Sequence, residues 1–269
     1  MPTDVLTADH VAAALPTRWL GRPAHVFDAL PSTNTWLMAQ AQQGAPEGTL
    51  ALADVQTAGK GRLGRVWQSP PGAGLLFSLL FRPAPPVTPG QVMMAVAVGI
   101  TDGLTAHLGV APRLKWPNDI LLDGGKLAGL LGESSTDSNS RPLVVIGCGL
   151  NVNLNPAAFP PPPPGGTPAT SLLAVLGHPV ARLPLLHALL LGIETRYESL
   201  RAGQSPYADW RRLCATLGQA VTAQGVGGTI EGIAEDVAED GSLLVRQADG
   251  TLVTVAAGDV TLRRAAARG

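Results

Sequence analysis

Residues 56–67, with the sequence QTAGKGRLGRVW, hold the densest group of side chains that could do chemistry. Glycines alternate with cations here and an indole follows: Gly59, Lys60, Gly61, Arg62, Gly64, Arg65 and Trp67. Glycine lets the backbone approach a ligand closely and point N–H groups at it, while the cations add positive charge. The pattern favours an anionic ligand with several oxygens, such as a phosphate ester or a carboxylate, although a solvated basic turn would look the same.

Two well-known phosphate-binding motifs do not fit this segment. The chain has no GxxxxGK[ST] pattern, which a P-loop requires. The glycines match the GxGxxG spacing of dinucleotide-binding turns, but no helix-forming segment follows them. The segment is therefore weak evidence by itself.

Two lysines mark a second cluster, Lys115-Trp-Pro-Asn-Asp119 followed by Gly125-Lys126-Leu-Ala-Gly129. A lysine at the base of a buried strand costs desolvation energy unless an anion meets it, whereas Lys126 in an exposed turn would need no ligand. Asn118 and Asp119 either cap the turn or, in the case of Asp119, accept a proton from an incoming amine. The cluster is thus compatible with a second anion-binding element.

A third element is the apolar run 145–153, VIGCGLNVN, which ends in glycines and two asparagines. Asn151 could reach a metal-bound phosphate or a ribose. Asparagine is also common at strand ends for structural reasons, so both readings stay open.

Composition limits the possible classes of protein. The 269 residues suit one large domain or a large and a small one, and 45% hydrophobic residues can form a sizeable core. A net charge of −1 argues against bulk nucleic-acid binding. Two cysteines without a CxxC pattern, no signal peptide and no long uncharged apolar stretch predict a cytoplasmic protein that does not span a membrane.

The elements that must position these motifs alternate between strands and helices. Apolar runs and period-two patterns predict strands at 24–28, 49–56, 75–81, 113–115, 119–122, 127–133 and 143–150. Helical patterns and caps predict helices at 7–15, 32–43, 91–108, 172–176, 183–200 and 206–213. The proline-rich stretch 155–170 is predicted to be a loop.

The pattern changes near residue 218. Short strands with period-two alternation follow, at 220–224, 228–237, 242–247, 252–256 and 260–262. Asp240-Gly241 and Asp249-Gly250 are hairpin signals. We therefore predict a domain over residues 1–217 and a small β-barrel over 218–269, whose acidic character argues against nucleic-acid binding.

Taken together, the motifs resemble those of the bacterial biotin–protein ligases, also called biotin–[acetyl-CoA-carboxylase] ligases. The resemblance covers residues 24–262, and its motifs are 32–34, 56–67, 115–119, 126–129 and 147–153. It implies an α+β fold: a mixed sheet with helices, related to class II aminoacyl-tRNA synthetases, plus a small C-terminal SH3-like barrel.

The chain departs from the family pattern at two places. Lys60 stands where the family usually has arginine, which keeps the charge but loses the bidentate fork. This predicts weaker retention of an intermediate if that arginine holds phosphate. Some members also carry an N-terminal DNA-binding domain, and the sequence before residue 24 is too short for one, so the resemblance is to the monofunctional type, with no DNA partner.

The resemblance also implies site residues. Those implied for biotin are Ser32, Thr33, Asn34, Gln56, Gly59, Arg62, Lys126 and Gly129. Those implied for ATP and its phosphates are Lys60, Arg62, Arg65, Trp67, Asn118 and Asn151. The catalytic residues would be Lys126, Arg62 and Asp119, with Lys126 as the principal one and Asp119 orienting or deprotonating the acceptor lysine.

The implied reaction uses biotin and ATP to form biotinyl-5′-AMP, and then transfers biotin to a lysine of a biotin carboxyl carrier protein. Mg²⁺ is expected with ATP, and no side-chain cluster in the sequence predicts a separate metal site. Homodimerisation occurs in the family, but nothing in this sequence decides it. The alternatives are a lipoate–protein ligase and a non-catalytic biotin-binding regulatory protein.

Overall fold

The computed structural model describes residues 5–155, 157, 159, 161–162, 166–225, 228–256 and 259–262. The helices are α1 Ala8–Ala12, α2 Thr33–Gln42, α3 Pro89–Leu108, α4 Leu172–Leu176, α5 Arg182–Arg201 and α6 Tyr207–Leu213. The strands of the larger part are β1 Ala24–Leu30, β2 Leu50–Gln56, β3 Gly74–Phe81, β4 Arg113–Lys115, β5 Asp119–Leu122, β6 Gly125–Thr136 and β7 Pro142–Asn151. The strands of the C-terminal part are β8 Ala220–Gly225, β9 Gly228–Val237, β10 Leu243–Arg246, β11 Leu252–Val255 and β12 Asp259–Leu262.

The larger part is built on a seven-stranded mixed sheet with the order β1-β2-β3-β7-β6-β5-β4. β1 and β2 are parallel, and the other neighbouring strands are antiparallel. All eight residues of β3 are buried because this central strand is covered on both faces. The predicted α+β fold with a mixed sheet is therefore confirmed.

Helices α3 and α5 cover one face of this sheet. α3 begins with a capping box between Thr88 and Gln91 and ends at Gly109, whose φ of 68° is left-handed. The two helices approach closely at Gly99, where an added Cβ would lie 2.5 Å from the Cα of Ile193. Their apolar side chains form the main core with the sheet residues that point the same way.

The opposite face is only partly covered, by α2. Ser32 caps this helix by accepting a hydrogen bond from the backbone N–H of Thr35. A small apolar cluster around Leu37 packs α2 on the central strands. The rest of this face, along β5, β6 and β7, carries several glycines and borders a cavity, so we call it the open face.

The C-terminal strands form a five-stranded antiparallel sheet with the order β11-β10-β9-β8-β12. The turn between β9 and β10 lies against the larger part, where the indole Nε1 of Trp116 donates a 2.8 Å hydrogen bond to the carbonyl of Gly241. Arg211 of α6 adds an ion pair of 2.7 Å with Asp236. The predicted small C-terminal β-structure is confirmed as this sheet.

The element boundaries follow the sequence predictions closely, with two clear differences. One is β6, which was predicted over 127–133 and spans Gly125–Thr136. The first helix was predicted over 7–15 but ends at Ala12. Ala13 is already extended and Ala14 has a φ of 56°, so the chain leaves the helix before Pro16. In the described part of the chain, none of the helices combines the length and hydropathy needed to cross a bilayer.

Candidate active site

A cavity of about 720 Å³ lies over the open face of the larger sheet. Its walls come from the start of α2, the end of β2, the 60–67 segment, the β4–β5 turn and the segment 166–167. Its floor includes Gly129 of β6 and Gly147 and Gly149 of β7, which leave the sheet bare of side chains. This volume is within the range of small-molecule and cofactor sites.

One end of the cavity is a buried network of neutral polar groups. The side-chain oxygen of Gln56 accepts hydrogen bonds from the backbone N–H and the hydroxyl of Thr33, at 2.8 and 3.1 Å. The hydroxyl of Ser78 lies 2.7 Å from the Thr33 hydroxyl and 2.6 Å from Asn34 Oδ1. Asn34 also donates to the carbonyl of Leu131 at 3.0 Å, so the network ties α2 to β2, β3 and β6.

The glycine-rich segment 59–67 folds back on itself at the rim of the cavity. Lys60 and Val66 form an antiparallel bridge, the N–H of Gly61 donates to the carbonyl of Arg65 at 2.7 Å, and residues 62–64 make a short 3₁₀ turn. Gly64 has a φ of 73°, which favours glycine. The turn places Arg62 at the cavity and Lys60 within 3.6 Å of the Glu133 carboxylate.

Trp67 lies across the cavity floor. A Cβ added at Gly149 would overlap the indole ring, and one added at Gly129 would lie 3.0 Å from it. Gly129 and Gly149 are register partners on β6 and β7, so together they make the surface on which the ring rests. The ammonium of Lys126 lies 5.5 Å from the ring centroid, in cation–π range.

The charged end of the cavity contains far more positive than negative charge. Lys126 Nζ lies 2.7 Å from Asp119 Oδ1, the sole carboxylate among the described residues that line the cavity. The cations that line it are Lys60, Arg62, Arg65, Lys115 and Lys126. Asp119 is paired with Lys126, and Lys60 is paired with Glu133, which does not line the cavity. The positive charge of Arg62 and Lys115 makes this end of the cavity suited to anions.

Burial makes this excess charge costly. Desolvation lowers the pKa of the Arg62 guanidinium and of the Lys115 ammonium, and Asp119 partly opposes both shifts. The Nη1 atom of Arg62 and the indole Nε1 of Trp67 are also buried, and neither has a hydrogen-bond partner among the described residues. Buried donors without acceptors are expected where a ligand completes the site.

Most of the residues predicted from the sequence do meet at this cavity. Those that line it are Ser32, Thr33, Asn34, Gln56, Lys60, Arg62, Arg65, Trp67, Asn118, Asp119, Lys126 and Gly129. Gly59 and Asn151 do not line it. The carbonyl of Gly59 accepts a hydrogen bond from the N–H of Trp67 at 3.0 Å, and the side-chain amide of Asn151 donates to the backbone carbonyl of Thr170 at 2.9 Å. The ligand contacts of all the predicted site residues remain predictions.

Sequence reasoning gave no role to several residues that shape the site. Lys115 was noticed as a basic residue beside a buried strand but was not assigned. Trp116 lies within the 115–119 motif but had no predicted role, and Thr167 carried no recognisable signal. Ser78 was detectable in principle, because it is a hydroxyl inside the otherwise apolar run 75–81, where every residue is buried.

The chain is similar to known proteins over most of its length. The family model described as the biotin/lipoate A/B protein ligase family matches residues 26–151, and that of the biotin protein ligase C-terminal domain matches residues 216–263. The biotin–[acetyl-CoA-carboxylase] ligase of Mycobacterium tuberculosis is 36% identical over 85% of this chain and 85% of its own length. The bifunctional ligase/repressor BirA of Bacillus subtilis is 35% identical over 91% of this chain and 76% of its own length.

Solved structures agree with these relatives. A biotin protein ligase from Aquifex aeolicus, in complex with biotin and ATP, matches with a TM-score of 0.74 and 28% identity, covering 90% of this chain and 99% of that one. The same enzyme without ligand matches with a TM-score of 0.70.

Proposed function

Because the chain belongs to the biotin protein ligase family and is a ligase, we propose that it makes biotinyl-5′-AMP and transfers biotin to a lysine of a biotin carboxyl carrier protein. The observation that carries this proposal is the cavity with one buried neutral polar end and one strongly cationic end. The neutral end suits the uncharged ureido group of biotin, and the cationic end suits its carboxylate and the phosphates of ATP.

The first step joins two anions. An oxygen of the biotin carboxylate attacks the α-phosphorus of ATP, the bond from that phosphorus to the bridging oxygen of the β-phosphate breaks, and pyrophosphate leaves with the electron pair. The repulsion between the reactants makes positive charge and alignment the main requirements. Lys126 and Arg62 supply charge beside the cavity floor.

The second step is an acyl transfer. The neutral amine of the acceptor lysine attacks the acyl carbon of the mixed anhydride, the bond from that carbon to the phosphate oxygen breaks, and AMP leaves. Asp119 lies at the cationic end, where its carboxylate can orient the incoming amine and receive its proton. A side-chain nucleophile is not needed.

Mg²⁺ is expected to enter with ATP, but this chain offers it little. Within the described ranges, no three His, Cys, Asp or Glu side chains gather into a group that could hold a metal ion. Asp119 is already paired with Lys126. Mg²⁺ that entered with ATP would be held mainly through the phosphates.

The direct test is a transfer assay. The purified chain, biotin, ATP and a purified carrier domain should give a carrier band on a streptavidin blot, and a carrier with its target lysine changed to arginine should give none. The nearest alternative is a lipoate–protein ligase. It is tested by repeating the transfer assay with lipoate in place of biotin, and by measuring the Kd of each ligand by calorimetry. Labelling with lipoate but not with biotin would refute the proposal.

Arg62→Gly should release the intermediate. The substitution removes the half-buried guanidinium that lines the cavity, and the loss of one charge-assisted hydrogen bond is worth about 1.5–3 kcal/mol, or about 10- to 100-fold faster escape of biotinyl-5′-AMP. Biotin labelling of a bystander protein such as albumin measures this release. Arg62→Lys is the matched control and should lie between the variant and the wild type. Equal bystander labelling by wild type and Arg62→Gly would contradict our account of the 59–67 turn.

A further inference from the structure

Lys115 is a buried lysine at the cavity, and the mechanism above does not use it. It is the last residue of β4, it is 7% exposed and it lines the cavity. It lies directly opposite Asp119 on β5, and directly opposed residues in antiparallel strands share one face of the sheet. Its neighbour Leu114 points into the core on the other face, which fixes the side chain of Lys115 toward the cavity.

The structure leaves this ammonium under-compensated. An ammonium has three N–H donors. Among the described residues, the hydrogen-bond acceptor for Lys115 Nζ is one neutral hydroxyl, that of Thr167, at 2.9 Å. The nearby carboxylate of Asp119 is engaged by Lys126 at 2.7 Å. A buried cation with this little compensation is unfavourable unless an anion completes its surroundings.

Thr167 is held in place by the strand that carries Lys126. The N–H of Lys126 donates to the carbonyl of Pro168 at 2.7 Å, and the N–H of Thr170 donates to the carbonyl of Lys126 at 2.9 Å. The end of the proline-rich segment therefore runs beside β6 as a short parallel bridge. This arrangement fixes the hydroxyl that orients Lys115 relative to the backbone of Lys126.

Lys115 and Lys126 come from opposite sides of Asp119. In the sheet, β5 lies between β4 and β6, and neighbouring strands are about 4.8 Å apart. Two ammonium groups placed in this way suit an anion with several linked charged groups better than a single carboxylate. The ammonium of Lys126 lies over the indole of Trp67, so it would contact the part of such an anion that is nearest the cavity floor.

We propose that Lys115, oriented by Thr167, binds the β- and γ-phosphates of ATP and then the pyrophosphate that leaves. When the bond from the α-phosphorus to the bridging oxygen breaks, the electron pair stays on pyrophosphate, and the ammonium of Lys115 stabilises that charge. No proton or further reactant is needed. The proposal rests on the proposed ligase function and deepens it.

The test uses biotin-dependent ATP–pyrophosphate exchange with the full chain. Lys115→Met keeps the length of the side chain but removes its charge, and it should raise the KM for pyrophosphate by about 10- to 100-fold, as expected for one charge-assisted hydrogen bond. Lys115→Arg should recover most of this loss. Thr167→Val should raise the same KM by about three- to tenfold, since it removes a neutral hydrogen bond, and Thr167→Ser should behave like wild type.

Two further readouts separate binding of pyrophosphate from other roles. The Kd for biotin by calorimetry, and the rate of transfer from supplied biotinyl-5′-AMP to a carrier domain, should stay within about twofold of wild type in Lys115→Met. A normal KM for pyrophosphate together with a lost transfer rate would overturn the proposal and place Lys115 in the acceptor step. If Lys115→Met does not fold, Thr167→Val decides, because it retains the charge. Absence of exchange in the wild type would instead refute the ligase function.

Discussion

Lys126→Ala is expected to slow biotin-dependent ATP–pyrophosphate exchange by about 10²- to 10³-fold, the usual cost of removing one preorganised charge from a transition state. Lys126 lies between Asp119 and the ring of Trp67, at the cationic end of the cavity. There it can offset the charge that gathers when carboxylate and phosphate meet. The substitution also frees Asp119, which adds a negative charge where two anions must bind.

The controls for Lys126→Ala address charge and folding separately. Lys126→Arg keeps the cation and should retain more exchange than alanine, although its planar fork fits the position of a compact ammonium imperfectly. The melting temperature is measured beside the exchange rate, because the Lys126 and Asp119 side chains are only 27% and 17% exposed and breaking their ion pair leaves a largely buried carboxylate unpaired. Exchange near the wild-type rate in a folded Lys126→Ala protein would remove Lys126 from the adenylation step.

Gly147→Ala should damage both stability and biotin binding although it adds one methyl group. A Cβ at this position would overlap Oδ1 of Asn34 and would lie 3.2 Å from the hydroxyl of Ser78. β7 is held between β3 and β6, so the backbone cannot move away. The polar network must rearrange instead, and we expect a loss of about 1–3 kcal/mol in the free energy of unfolding.

The same rearrangement of the polar network should weaken the binding of biotin, because the network shapes the neutral end of the cavity. We expect a biotin Kd raised by about tenfold or more, since small misplacements of positioning groups are costly. Gly132→Ala on β6 is the matched control: its Cβ would meet the flexible end of Met93 at 2.8 Å, away from the cavity. Urea denaturation and calorimetry measure the two effects. If Gly147→Ala and Gly132→Ala had the same biotin Kd and the same free energy of unfolding, the role of Gly147 in the cavity floor would be contradicted.

Local signals predicted the elements of this fold well. The strands at 113–115 and 119–122 and the helix at 172–176 have the predicted bounds. The cap signal at residues 32–34 correctly placed the start of α2, which Ser32 caps. The apolar pattern alone started α3 at residue 91, whereas the capping box of Thr88 and Gln91 starts it at Pro89. The first helix was predicted to be longer than it is, because no residue type in 13–15 indicates that Ala14 has a positive φ.

The site was harder to predict because it depends on strand register. Gly129, Gly147 and Gly149 form a floor only after β6 and β7 pair in the observed register, and register is a tertiary property. The sequence likewise shows Asn34 as a polar residue near a helix cap, whereas the structure ties it to Ser78 and Leu131. The family resemblance located most cavity residues, but it did not single out Lys115.

The hydrogen bond from Trp116 to Gly241 connects the small C-terminal sheet to a residue of the cavity wall. Trp116 lines the cavity, is 2% exposed, and lies in the β4–β5 turn, where its indole meets the β9–β10 turn. A chain cut after residue 217 would leave this ring facing water, with its N–H lacking its protein acceptor. Shortening the enzyme to its larger half should therefore impair turnover, and substitutions at the distant 238–242 turn offer a route by which evolution can tune chemistry without touching a reacting group.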